Sequence, residues 1–494
     1  MKTERPNSFN FLSRRPPLTG TLTPRTFPLP ARSGDLGFRR TPPYLTAAFA
    51  LFIFSVPFKA MALHDFKEIK FGLPPVYVTL PLLILAAALS KPKLVWPKPI
   101  RYLIGFGLLT VLSILQCMWV RRDFIHLSDR ALWRFSVTQS AYVVATVIAT
   151  IVMFQCVASY PNLLRTALRA QTLAVIFACL WGLYQFFGYI FGWEYPLVFN
   201  NNLYYAQLYY QTMGAFNRIS SIAMEPSMFA IYLATVLPIY VYCCLYSLRI
   251  FSRVLDTLVL LLCGITLFLT LSNTAILGII TLSLLMIGRK TKSWFRLAAI
   301  LITVSLLGCA VLLYFSPNVA RLTEGSALLD RLANVIQGTD ASANDRYNSM
   351  VMGARVFIEH PILGVGEGNA GYYLFSYDTR LLVGMQPRVL SVAVRTLAEH
   401  GLVGVFLLGS FLMLTIRHRG PDSLSKQVKL AVDALRLSVI VSFFLMIASM
   451  TELNQYEAWT ASALLLGVTQ WHLRHPASHK VPPPERKLAP MGGH

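Results

Sequence analysis

Residues 226–247 read PSMFAIYLATVLPIYVYCCLYS, a run without one charged side chain. A helix of about 20 such residues crosses a hydrocarbon layer ~30 Å thick. Similar runs recur outward from it in both directions. They place spans at approximately 43–62, 74–90, 101–120, 133–159, 169–192, 226–247, 255–271, 274–288, 297–315, 400–416, 431–450 and 456–472. The pair within 255–288 is divided only by LSN, a very tight turn. The rest of the composition agrees: 494 residues, 55% hydrophobic and 13% charged, with mean hydropathy +0.55. A soluble domain carries about 25% charged residues, because its surface must face water. An ordinary soluble enzyme, a disordered chain and a disulfide scaffold are therefore excluded. The expected fold class is all-α: a polytopic membrane bundle of about twelve transmembrane helices, each satisfying its own backbone inside lipid. The seven cysteines all fall within apolar runs, which suits buried thiols rather than a disulfide framework.

Polarity sets the expected domain boundaries. Residues 1–42 are rich in Pro, Arg, Ser and Thr and form a disordered basic cytoplasmic tail. Transmembrane helices 1–9 occupy 43–315, an extracytoplasmic loop forming a small helical cap occupies 316–399, helices 10–12 occupy 400–472, and 473–494 is a second cytoplasmic tail. The net charge of +22 sits in short stretches between apolar runs, not on one polar face. That argues against a nucleic-acid partner and for topogenic charge, in which Lys and Arg mark the cytoplasmic side. With both termini inside, the inner connections hold Lys91, Lys93, Lys98 and Arg101, then Arg165 and Arg169, then Arg249 and Arg253. They continue with Arg289, Lys290, Lys292 and Arg296, and end with Arg417, Arg419, Lys426 and Lys429. One short outer loop objects, RRDFIHLSDR, with Arg121, Arg122 and Arg130.

Two outer segments stand out for length, 193–225 and 316–399. Loops this long inside a compact fold are usually functional or carry structure of their own. In the second, Asn344 and Asp345 can cap a helix through RYNSMVMGARVFIEH that stops at Pro361. Both segments hold arginines and no lysines in their basic sets: Arg218, Arg321, Arg331, Arg346, Arg355, Arg380, Arg388 and Arg395. Guanidinium suits bidentate binding of phosphate or carboxylate. The alternative is salt bridging within the cap to Asp330, Asp345, Glu359 or Glu367.

Glu225 precedes Pro226 at the start of an apolar helix, where the helix dipole favours a carboxylate. It could instead act as a general base toward a sugar hydroxyl, near Arg218. The turn TLSNTAILG offers Thr270, Ser272, Asn273 and Thr274, or is simply a polar hairpin. HPILGVGEGNAGYY alternates Gly364, Gly366 and Gly368, whose backbone amides could approach a phosphate or could merely make a turn. Arg395 and Glu399 share a helical face, as an intrahelical ion pair or as part of the cavity of Arg218. His360 and His400 read as helix-end residues, and no His, Cys or Asp cluster has metal-site spacing, so neither metal nor cofactor is expected.

At these residues the chain resembles the O-antigen ligase and polymerase superfamily of bacterial membrane glycosyltransferases. RISSIAMEPSMFAIYL is similar to its Arg-led helix start, and LTLSNTAILGII to its LTxSR turn. NDRYNSMVMGARVFIEHPILGVGEGNAGYY resembles its large outer loop, and RTLAEHGLVGVFLL its closing Glu-x-Gly helix. Two departures stand beside these likenesses. Asn273 occupies the turn position that often holds Arg, and Leu390 and Ser391 stand where ligases carry a His. The missing His favours a polymerase over a ligase.

The resemblance implies a multi-pass enzyme of the bacterial inner membrane acting on its extracytoplasmic side. It would join undecaprenyl-pyrophosphate-linked repeat units with inversion and without a metal. Arg218, Arg346, Arg355 and Arg395 would hold the pyrophosphate, with Glu225 or Glu399 as catalytic base. Arg346 and Arg355 lie nine residues apart, on opposite faces of a straight helix, and Arg346 is the better placed. Tyr204, Tyr205, Tyr209 and Tyr210 would stack on sugars, or anchor at the interface. The expected partners are the lipid-linked glycan, the lipid bilayer, a chain-length regulator and a flippase. Two other readings compete: a ligase moving a finished glycan to another acceptor, and a transporter or flippase of a lipid-linked anion. A transporter would place charges at mid-membrane and often show inverted repeats, neither of which the sequence displays.

Overall fold

The computed structural model describes residues 40–60, 74–123, 129–193, 211–213, 216–287, 341–371, 373, 389–421, 424–449 and 453–475. Its elements are α1 (Pro43–Ser55), α2 (Pro75–Ser90), α3 (Lys98–Asp123), α4 (Asp129–Ser159) and α5 (Asn162–Phe191). A short hairpin follows, β1 (Gln211–Met213) and β2 (Phe216–Arg218), paired antiparallel with Gln211 opposite Arg218. Next come α6 (Pro226–Tyr246), α7 (Arg253–Leu269), α8 (Asn273–Ile287) and α9 (Ala341–Glu359). The chain closes with α10 (Val392–Arg417), α11 (Lys426–Ser449) and α12 (Tyr456–Arg474). The protein is thus a polytopic helical membrane protein, with one three-residue hairpin the sequence did not announce. Among the described residues, six helices are long and apolar enough to cross a membrane: Lys98–Gln116, Ser136–Ser159, Asn162–Gly188, Pro226–Tyr246, Val392–Arg417 and Lys426–Ala448. Helices α1, α2 and α8 are apolar but shorter.

Helix α6 is the axis of the bundle. It is apolar all round and accordingly buried all round, from Phe229 to Cys243. It packs against α7, α8, α11 and α12. A second group of helices forms around α4, which lies along α12, α3, α2 and α5. Pro226 and Pro75 open their helices at a position where the missing N–H costs nothing.

Hydrogen bonds between the connections give the bundle two distinct ends. At one, which we call the basic end, lie Lys91, Lys93, Arg165, Arg249, Arg253, Arg419 and Lys426. Hydrogen bonds there join neighbouring connections, including Tyr160 Oη to Ser90 O at 2.8 Å and Gln427 Nε2 to Ser247 O at 3.1 Å. The opposite end, the loop end, gathers the end of α1, the 219–225 loop, the α7–α8 turn and the meeting of α10, α11 and α12. Backbone bonds knit it together: Ala60 N to Ile222 O at 2.9 Å and Ile219 N to Leu269 O at 3.3 Å.

Several boundaries differ from the sequence reading, those of α9 and α10 among them. Helix α9 begins at Ala341, ahead of the expected cap at Asn344 and Asp345. Helix α10 begins at Val392 and not at residue 400, because its charged first turns are paired and buried inside the protein. Near residue 400 there is a kink instead, at Gly401 with φ 61° and ψ −160°. The expected span at 297–315 lies outside the described residues. A small separate core of Val356, Val365, Ala370, Val389 and Ala398 joins α9 to the start of α10.

Candidate active site

The loop from Arg218 to Glu225 is held from three sides. Gln185 of α5 accepts from the backbone N–H groups of Ser220 and Ser221 at 3.0 and 2.8 Å, and Ser221 Oγ donates to Ala178 O at 2.6 Å. Ser221 adopts a left-handed conformation, φ 52°, which lets the chain reverse into α6. The α7–α8 turn lies beneath. Arg218 Nε donates to Thr270 O at 3.1 Å, so two segments separated in sequence meet at one point. Leu271, φ 45°, turns the chain, and Ser272 Oγ accepts the N–H of Thr274 at 3.3 Å as the next helix starts. Asn273 is exposed on this turn. Where the family often carries a turn arginine, this chain brings Arg218 onto the turn's carbonyl from the neighbouring loop.

Glu225 occupies the N-cap position of α6, in extended conformation, yet its side chain makes no capping hydrogen bond. Its Oε2 accepts from Ser227 Oγ at 3.1 Å, and the residue is half-buried. A carboxylate that served only as a cap would bond the first helical N–H groups. Glu225 does not, and it lies in the same short loop as Arg218.

The second group is closed. Arg395 of α10 donates through Nε to Glu399 Oε2 at 2.7 Å and through a terminal nitrogen to Glu367 Oε1 at 2.6 Å. The side chains of all three are at most 4% exposed. His400 lies beside them: its Nε2 is 3.6 Å from Glu367 Oε2 and 3.2 Å from Thr110 Oγ1, and its ring stacks on Phe106. In this arrangement Arg395 and Glu399 spend their charges on each other and on Glu367. For this pair the structure shows the salt-bridging arrangement, while pyrophosphate binding by Arg395 and base chemistry by Glu399 stay what the resemblance implies. His400 ends the first of the two helical stretches that meet at the Gly401 kink, and it is also a buried neighbour of this group. Glu367, Glu399 and His400 also bring ligand-type atoms within 4.8 Å of one another, a cluster that sequence spacing did not reveal. The Arg395 guanidinium meets both carboxylates of the cluster.

The glycine turn explains how Glu367 arrives there. At the Gly401 kink the N–H groups of Leu402 and Val403 lose their helical acceptors and donate to Pro361 O and Ile362 O, at 2.9 and 3.2 Å. In exchange Ala398 O and Glu399 O accept from Val365 and Gly366, at 3.0 and 2.8 Å. Turn and helix are spliced through backbone. A Cβ at Gly364 would stand 2.4 Å from the carbonyl carbon of Glu399, and one at Gly401 would stand 2.3 Å from Ile362 O. The amide of Glu367 donates to Ser113 Oγ at 3.1 Å. The amides of Gly364, Val365, Gly366 and Glu367 thus bond protein acceptors, the arrangement of the plain-turn alternative.

Helix α9 separates its two arginines as the spacing implies. Arg346 is half-buried on the side that carries Ser349, whose Oγ accepts from Leu390 N at 3.1 Å. Arg355 is on the other side, with 63% of its side chain exposed, and pairs with Glu359 at 3.3 Å. Tyr204, Tyr205, Tyr209 and Tyr210, together with Arg321, Arg331, Arg380 and Arg388, lie outside the described residues.

The arginine loop, the two-helix turn, the outer helix and the closing Arg–Glu helix thus occur in the order seen in one family. Residues 258–409 match the O-antigen ligase family, Wzy_C. The match runs over part of the chain only, and it supports the likeness to the O-antigen ligase and polymerase superfamily read from the sequence. No match to the chain was found among curated proteins. The Wzy_C span runs from α7 to α10 and includes the 270–273 turn, α9, the glycine turn and Arg395. Arg218 and Glu225 precede it and reach it only through the fold. Sequence reasoning missed two polar residues at the loop end, Lys59 and Glu457. Each was visible as a charge against the grain: a lysine at the far end of the first span, and an acid at the start of an otherwise apolar helix.

Proposed function

We propose that this protein polymerises polyprenyl-pyrophosphate-linked oligosaccharide repeat units on the extracytoplasmic face of the inner membrane. The observation that carries the reading is the meeting of Arg218, from the loop that ends in Glu225, with the α7–α8 turn, at the end of the bundle opposite the basic connections. Positive-inside charge would put the basic end in the cytoplasm and the loop end outside.

In the proposed reaction Glu225 accepts the proton of an acceptor sugar hydroxyl. The freed oxygen attacks the anomeric carbon of the donor from the face opposite the leaving group, forming the new C–O bond with inversion. The bond from that carbon to the pyrophosphate oxygen breaks, and its electron pair leaves with the pyrophosphate. Arg218, with Arg346 from the cap, stabilises the charge that grows there. Arg395 and Glu399 act at one remove, by fixing the glycine turn. The full domain layout, with both termini cytoplasmic and 316–399 as the outer cap, belongs to the same proposal, as do a chain-length regulator and a flippase as partners.

A ligase remains the second reading, because the matched family is described as O-antigen ligase. Against it, Ser391, beside the ligase His position, uses its hydroxyl to donate to Ile447 O at 2.8 Å, and Leu390 has no titratable group. Purified protein given a pyrophosphate-linked repeat unit, with and without a second acceptor, separates the readings. A ladder of products from the unit alone supports polymerisation; product only with the second acceptor supports ligation. Movement of the lipid without product would refute both.

A further inference from the structure

The segment after α1 ends in a buried ion pair that neither the family match nor the proposed chemistry uses. Lys59 Nζ donates to Glu457 Oε1 at 2.8 Å and also to Gln455 Oε1, at the first residues of α12. The Lys59 side chain is 14% exposed and that of Glu457 is 0% exposed, so the pair is shut away from solvent. The next residue, Ala60, donates its backbone N–H to Ile222 O at 2.9 Å, in the middle of the Arg218–Glu225 loop. On the other side Phe58 packs against Phe177 of α5, with ring centroids 5.3 Å apart. Helix α5 is also the helix whose Gln185 holds Ser220 and Ser221.

A lysine here is costly in two ways. It lies at the end that the positive-inside rule keeps poor in Lys and Arg. It is also desolvated, and a buried pair seldom gains over an apolar one in stability alone. What the pair does supply is a fixed position. It clamps residues 56–60 to α12, and residue 60 in turn grips the loop.

We infer that Lys59 is a positioning residue for the Arg218–Glu225 loop. Through Glu457 and Gln455 it fixes the strap 56–60, and through the Ala60–Ile222 bond the strap sets the loop at the height where Arg218 meets a pyrophosphate. This rests on the reading of that loop as the donor site. The account ties α1 and α12, both outside the matched family span, to substrate binding. Lys59 makes no contact with substrate and transfers no proton.

The test compares four full-length proteins in native-like membranes: Lys59→Met, Lys59→Met with Glu457→Gln, Lys59→Arg, and Lys59→Glu with Glu457→Lys. The neutral double variant leaves no uncompensated buried charge and so guards against simple misfolding. The donor is a polyprenyl-pyrophosphate-linked repeat unit, and backbone amide exchange is followed at Ala60 and through 219–223. In the neutral double variant we expect exchange about tenfold faster in both places, and KM for the donor raised about tenfold with kcat changed less than about twofold. Lys59→Arg and the charge-swapped pair should restore both readouts. Unchanged exchange in the neutral variant would overturn the inference, as would faster exchange with an unchanged KM while Arg218→Ala still raises KM. If Arg218→Ala itself leaves KM unchanged, the donor reading fails instead, and the exchange result alone then says whether the strap holds the loop.

Discussion

Each arginine of the cap acquires its meaning from where its charge is spent. Arg395 is committed to two buried carboxylates, so Arg395→Ala would strand Glu367 and Glu399 without a counter-charge. Losing one partner of a buried pair costs roughly 3–5 kcal/mol, and we expect a sharp fall in the amount of folded protein recovered in detergent. Arg355 pairs with Glu359 in the open, where an exposed i,i+4 pair contributes about 0.3–0.5 kcal/mol. Arg355→Ala should leave both folding and polymer yield close to normal. Arg346→Ala and Glu225→Gln should abolish polymer while the protein still reaches the membrane, as read by immunoblot of membranes beside the polymer ladder. Normal polymer from either variant would remove that residue from the mechanism. The i,i+4 spacing of Arg395 and Glu399 was legible in the sequence. Glu367 was among the carboxylates offered as salt-bridge partners, but which arginine it would meet was not legible because it comes from a separate turn, and His400 showed only as a helix end beside a glycine.

At the scale of elements, the decisive device is the splice between the glycine turn and the kink of α10. Two backbone segments exchange hydrogen bonds so closely that neither Gly364 nor Gly401 leaves room for a Cβ. Both also take positive φ, 68° and 61°, where L side chains are disfavoured. Gly401→Ala is therefore expected to lower the thermal midpoint by many degrees and to release α9 from α10. Gly409→Ala, in the same helix, is the control. Its added Cβ meets nothing within 4 Å, and alanine is favoured over glycine within a helix by about 1 kcal/mol. A fall in midpoint for both substitutions would mean that α10 tolerates no change, and would remove the splice as the explanation. Hydropathy located the helices because lipid-facing and buried faces alike must be apolar. It set the start of α10 too late, since paired charges look polar in sequence and are not so in the fold. The splice itself depends on backbone geometry, which the Gly-x-Gly pattern suggested only as a turn.

For the whole molecule, the segregation of charge is the governing feature. The connections at the basic end hold most of the described lysines, and the loop end holds Arg218, Glu225 and the α7–α8 turn. The sequence made this asymmetry readable through the alternation of apolar runs and basic connections. It could not show that Arg218 would meet Thr270, because that contact joins residues on two different helical hairpins. Nor could it show Lys59 beneath the loop. The proposed reaction requires this end to face outward and to grip a pyrophosphate. A single exposed thiol tests both halves at once: Asn273→Cys, on the turn under Arg218, probed in intact cells with a membrane-impermeant maleimide. The native cysteines described are free thiols, most of them buried, so the unsubstituted protein sets the background. We expect Asn273→Cys to label from outside, and polyprenyl pyrophosphate to slow that labelling in membranes of the same orientation. Labelling only after the membrane is permeabilised, or at a rate indifferent to the lipid, would contradict the account.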